Sequence, residues 1–195
     1  MGYDGMAKET SPLRCGGAES RSYLLSRTAL LIAVGVLVPF LFHQVGIAGK
    51  IFLPLHFTVL LTGFLLGPWA GIWVGVLSPT LSFLLTGMPP FPLVLAMVPE
   101  LATYGFVSGW LYKKGVGVLP SLLVAMAAGR IVLGGAMWGL ARILGFSISP
   151  LAFVAGAVVT GLPGIVVQIV GIPLLLGRLG KEEVLGLGCP SGDAP

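Results

Sequence analysis

The chain has 195 residues, of which 56% are hydrophobic and 9% charged, with a formal net charge of +4 and a mean hydropathy of +1.01. Soluble domains carry roughly 25% charged residues, so this composition excludes a water-soluble fold and points to a chain that faces lipid. Runs such as Leu30-Leu31-Ile32-Ala33-Val34 and Gly164-Ile165-Val166-Val167 do not alternate with period two, which excludes a barrel and leaves helices as the spanning elements.

The first 27 residues are polar and contain Lys8, Arg14, Arg21 and Arg27. A secretory signal would place its apolar segment nearer the start, so residues 1–27 are expected to form a cytoplasmic tail ahead of a retained first span. A span needs about 20 apolar residues. Punctuation by Gly, Pro and charge then predicts six spans in one membrane domain, residues 28–177. They are Thr28–Gln44, Phe52–Leu66, Pro68–Leu85, Pro92–Tyr112, Val116–Ile143 and Pro150–Leu176. The second is short, and Gly67-Pro68 leaves room only for a tight turn before the third. Residues 178–195 form a second polar tail. Cys15 and Cys189 lie in opposite tails and, in the cytoplasm, are expected to stay reduced.

Basic residues set the orientation. With six spans, both tails and the turns after spans two and four share one side. That side receives Lys8, Arg14, Arg21, Arg27, Lys113, Lys114, Arg178 and Lys181, while the other receives Lys50 and Arg142. Both termini are therefore expected in the cytoplasm. The outer loops become Val45–Ile51, Thr86–Phe91 and Leu144–Ser149.

Small residues four apart permit close helix packing. Gly63, Gly67, Gly71 and Gly75 form one ladder, Gly105 and Gly109 a second, and Gly135 and Gly139 a third. Ala29 and Ala33 make an Ala-x-x-x-Ala pair on the first span. Pro79, Pro99, Pro163 and Pro173 fall within spans, where they are expected to kink helices or open backbone groups. Trp69, Trp73, Trp110 and Trp138 lie near span ends, as residues of an interfacial belt do.

Glu100 is the only acidic residue between Glu19 and Glu182. A carboxylate in such an apolar segment needs a partner or a task. Arg130 is the candidate partner. At about 1.5 Å per residue, Glu100 lies roughly 12 Å into a span that enters from outside. Arg130 lies roughly 10 Å from the outer face on the next, antiparallel span. The pair could lock two spans together, or it could line a pocket for a polar ligand. Met97, Thr103 and Tyr104 share the Glu100 face, and Met137 shares the Arg130 face. His56, just below the outer face, could be an interface-seeking side chain or a ligand contact. Gln168, deep in span six, reads as an interhelical hydrogen-bond donor.

No Gly-x-x-x-x-Gly-Lys-Ser/Thr loop, His-Glu-x-x-His or Gly-x-Ser-x-Gly motif is present, and no Cys/His cluster has metal spacing. One buried carboxylate and short loops are thin equipment for catalysis. Binding or transport therefore outweighs an enzyme role, and neither a metal nor a nucleic-acid partner is expected.

The block Leu53-Pro54-Leu55-His56-Phe57-Thr58-Val59-Leu60-Leu61-Thr62-Gly63-Phe64-Leu65-Leu66-Gly67-Pro68 resembles the second-span region of substrate-binding (S) components of energy-coupling factor (ECF) transporters. So do Gly71, Gly75, Pro79 and Ser82, the loop Thr86-Gly87-Met88-Pro89-Pro90, and Glu100-Leu101-Ala102-Thr103-Tyr104-Gly105 with Gly109. The resemblance covers roughly Thr28 to Leu176. It implies six helices in a bacterial plasma membrane and no cofactor in this chain, ATP being hydrolysed by partners. It also implies capture of a small water-soluble vitamin or precursor from outside. Candidates by resemblance are the cobalamin lower-ligand nucleoside, pantothenate and a thiamine pyrimidine precursor. The implied partners are a transmembrane coupling protein and two cytoplasmic ATPases. Ala29 and Ala33 match the family's small-residue contact with the coupling protein. Glu100, Tyr104 and Arg130 fall where the family's ligand site lies, near the outer face. The alternative from a different class is a self-sufficient secondary transporter using Glu100 as a proton or cation site.

Overall fold

The structure is a computed structural model that describes residues 17–44, 54–145 and 149–178. These form six helices: α1 (Gly17–Gln44), α2 (Pro54–Leu66), α3 (Pro68–Thr86), α4 (Leu93–Lys113), α5 (Val118–Leu144) and α6 (Pro150–Arg178). No strand occurs among the described residues. Most of the tails, with both cysteines, the whole of the expected outer loop Val45–Ile51 and half of the expected outer loop Leu144–Ser149 lie outside the described residues.

Local chemistry sets most boundaries. α2 and α3 are joined by Gly67 alone, at φ 91°, a left-handed backbone that side chains rarely adopt. Pro68 follows at the first helical position, where its missing N–H costs nothing. Gly87, at φ 71°, closes α3 with its N–H donating to the Phe83 carbonyl at 2.8 Å. Gly145 closes α5 in the same way on Ala141 at 3.0 Å. Pro79, Pro99, Pro163 and Pro173 are all accommodated inside helices. The one large boundary difference is α1, which begins at Gly17 rather than near Thr28. The apolar run ends there, but residues 17–27 include Ala, Glu, Arg and Leu and contain no proline, so helix propensity carries the backbone on.

Among the described residues, four helices are long and apolar enough to cross a membrane: Pro68–Thr86, Leu93–Lys113, Val118–Leu144 and Leu151–Arg178. The apolar parts of the first two helices, Leu24–Val38 and Leu55–Leu66, are shorter.

α4 is the central helix and packs against α2, α3 and α5. α1 lies on α2 and α3, while α6 rests on α5 and touches α2 along a short stretch. The main core joins Leu55, Val59, Leu60 and Phe64 of α2 to Val74, Leu101, Tyr104, Leu122 and Ile172. A smaller cluster of Ala96, Leu133 and Met137 lies under Phe153 and Ala157 of α6.

Glycine makes the centre possible. A Cβ on Gly71 would collide with the backbone of Gly105, and one on Gly105 with that of Gly71. A Cβ on Gly75 would stand 2.6 Å from the Leu101 carbonyl oxygen, and one on Gly109 2.5 Å from that of Gly63. The first two glycine ladders thus meet as one seam where α2 and α3 touch α4. The third does not pack. Nothing stands within 4 Å of a Cβ at Gly135 or Gly139, because that side of α5 turns away from its neighbours.

The four tryptophans are exposed, Trp69 and Trp73 most of all. Lys114 Nζ sits 3.7 Å over the Trp110 ring, and the Arg142 guanidinium lies 5.4 Å from that of Trp138. Cationic and aromatic groups share the same helix ends, as they do at membrane interfaces.

Candidate functional site

Glu100 and Arg130 meet between α4 and α5. Arg130 NH1 donates to Glu100 Oε1 at 2.9 Å, with the Glu100 side chain 1% exposed and the Arg130 side chain 14%. Tyr104, one turn along α4, donates its hydroxyl to the same Oε1 at 2.8 Å. Its ring fits because residue 129 is glycine: a Cβ there would run into the Tyr104 ring. The sequence pair Gly129-Arg130 therefore admits the tyrosine with one residue and answers the carboxylate with the next.

His56, on the third residue of α2, completes the group. Its Nε2 is 3.8 Å from Glu100 Oε1 and its ring centroid 5.5 Å from that of Tyr104. Neither ring nitrogen has a hydrogen-bond partner, although His56 is only 3% exposed. Buried polar groups normally have partners, which sets this unpaired imidazole apart.

Glu100, Arg130 and His56 line a cavity of about 140 Å³. Beside His56, Glu100 and Arg130 its walls are Leu93 and Met97 of α4, Leu133 of α5, and Phe153, Ala157, Thr160 and Gly161 of α6. It lies in the half of the bundle where α2, α4 and α6 begin. A mostly apolar hollow with a few convergent polar groups is the usual form of a small-molecule site. Thr160 donates to the Gly156 carbonyl at 2.8 Å, which leaves its oxygen free to accept. A second hollow of about 320 Å³ runs between α5 and α6 along Ile131, Gly134, Gly135, Leu151 and Val154, and Arg130 borders both.

Of the residues singled out from sequence, Glu100, Arg130, Tyr104 and His56 come together, and Met97 lines the cavity. Thr103 does not: its hydroxyl turns back to donate to the Pro99 carbonyl at 2.7 Å. Met137 is buried in the small cluster with Ala96 and Leu133, away from the cavity surface. Gln168 is not the interhelical donor expected of it. It is buried, and its Nε2 has no hydrogen-bond partner. The α6 wall was missed altogether. Phe153, Ala157, Thr160 and Gly161 recur at three- and four-residue spacing, but a packing face would carry the same pattern.

The model of the family described as ECF transporter, substrate-specific component, matches residues 24–176. The chain belongs to that family. It is the substrate-binding component of a transporter and, at the level of the family, not an enzyme. No curated protein and no solved structure matches the chain.

Proposed function

We propose that this protein captures a small water-soluble vitamin or precursor on the outer side of a bacterial plasma membrane and passes it to an ATP-driven coupling module. The observation that carries the reading is the Glu100–Arg130 pair, braced by Tyr104 and set with His56 in the wall of a cavity rather than in dry packing. Intramembrane ionisable groups mark substrate paths more often than scaffolding. In this reading the chain has six spans with both tails in the cytoplasm, and the cavity then lies in the outer half; the excess of basic residues on the tail side supports that orientation.

ATP hydrolysis belongs to two cytoplasmic partner subunits reached through a transmembrane coupling protein. Ala29 and Ala33 are exposed on α1, which suits close approach by a partner helix. Glu100, Arg130, His56 and Tyr104 hold the ligand's polar groups, Met97 its apolar body. Thr103 and Met137 support the wall from behind.

Uptake by cells expressing the chain alone and together with the coupling protein and ATPases tests this. Ligand bound by the chain alone, and accumulated only with active ATPases, is the expected result. Accumulation by the chain alone, abolished by a protonophore, would instead establish a secondary transporter with Glu100 as its ion site.

A further inference from the structure

The way Glu100 and Arg130 share their hydrogen bonds narrows the ligand. Arg130, Tyr104 and the nearby His56 Nε2 all approach one carboxylate oxygen, Oε1. A carboxylate has about four lone-pair sites, so Glu100, which lines the cavity, can accept more than these contacts supply. Arg130 lines the same cavity, and its guanidinium has five donors in a planar fork, more than its contact with Glu100 through NH1 uses. The site thus presents an acceptor and a donor side by side, with their formal charges already matched.

We propose that the cavity selects a neutral, single-ring ligand with a donor–acceptor edge, such as an aromatic carboxamide or an amino-substituted nitrogen heterocycle. This rests on the cavity being the substrate site of the uptake system. Three observations converge on that class. The first is charge. An anion would have to compete with Glu100 for Arg130 and a cation with Arg130 for Glu100, and either leaves one buried charge unmatched. A neutral edge with one donor and one acceptor adds to the pair without breaking it.

The second is size. About 140 Å³ is close to the roughly 150 Å³ that accommodates a benzene-sized ring in an apolar cavity. The third is the wall. Leu93, Met97, Leu133, Phe153 and Ala157 give a ring apolar surface to lie against. Thr160, on the α6 side, offers an oxygen acceptor. His56, whose two ring nitrogens are unpaired, belongs to the same wall.

The test uses the purified full-length chain in lipid nanodiscs and equilibrium binding at neutral pH. Three probes share one ring and one shape: pyridine-3-carboxamide, pyridine-3-carboxylate and 3-(aminomethyl)pyridine. A fourth, quinoline-3-carboxamide, adds a second ring. The expected result is that the single-ring amide binds at least roughly tenfold more tightly than each of the others, a difference of about 1.4 kcal/mol. Equal or tighter binding by the carboxylate, the ammonium or the two-ring probe overturns the ligand class and leaves the capture role standing. Binding by no probe also overturns the class. Partner-dependent uptake then decides the wider reading: if it persists, only the class has failed, and if it is absent, both have.

Discussion

Arg130 and Tyr104 donate to the same oxygen of Glu100, one from a neighbouring helix and one from the next turn of its own. The carboxylate is thereby oriented from two directions. Its bond to Arg130 also ties α4 to α5.

Removing one member of the pair leaves the other charge buried. Glu100→Gln and Arg130→Gln should each lower unfolding stability by about 3–5 kcal/mol, read by thermal denaturation in nanodiscs without ligand. The double substitution should cost less than the two losses added together, since neither charge is then stranded. Additive losses would show that the two groups are energetically independent despite their 2.9 Å contact.

The glycine seam makes a contrasting prediction. Gly71→Ala or Gly105→Ala forces apart two backbones in direct contact and should cost about 1–3 kcal/mol, with lower yield of folded protein. Gly139→Ala meets nothing within 4 Å and should be neutral or stabilise by up to about 1 kcal/mol through helix propensity. Equal effects at Gly105 and Gly139 would remove close packing as the reason for glycine in the seam.

Gln168 should be replaceable without loss. Its Nε2 is buried and unpaired, a state that costs about 1–3 kcal/mol. Gln168→Leu is expected to raise the melting temperature and leave ligand affinity unchanged, because Gln168 does not line the cavity. A drop in either would reveal a polar contact made by Gln168 that matters to the fold or the ligand.

Docking should separate from binding. Ala29→Leu and Ala33→Leu add bulk to an exposed stripe of α1 that is remote from the cavity walls. Ligand affinity of the isolated chain should hold while uptake with the partner subunits falls. Wild-type uptake in both variants would move the docking surface elsewhere.

The helices were legible because Gly67-Pro68, Gly87 and Gly145 punctuate the apolar chain where the backbone turns, and boundaries such as Pro68–Thr86 fall within a residue or so of expectation. The charged half of the site was legible for a related reason: Glu100 and Arg130 stand out against 56% hydrophobic residues. Helical spacing alone could not tell where Thr103 points. It lies three residues from Glu100 on the same face, yet its hydroxyl has the Pro99 carbonyl within reach and takes it. Nor could spacing distinguish the α6 wall, since Phe153, Ala157 and Gly161 read equally well as core, lipid-facing or cavity residues. The choice depends on how α6 sits against α5, a tertiary fact.

The glycine seam divides the bundle into parts of unequal stiffness. Where α3 and α4 touch backbone to backbone, neither can slide without a steric collision, so these helices with α2 behave as one solid block. Among the described residues α6 has no such seam; it rests on α5, with a short contact to α2, along a largely outward-facing helix. It is the member that can shift at lowest cost. A ligand held between the Glu100–Arg130 pair and Thr160 would span the boundary between block and movable helix, adding contacts where the fold has fewest. Occupancy would then register as a tightening of α6, visible as slowed amide exchange along that helix and little change in α3 or α4.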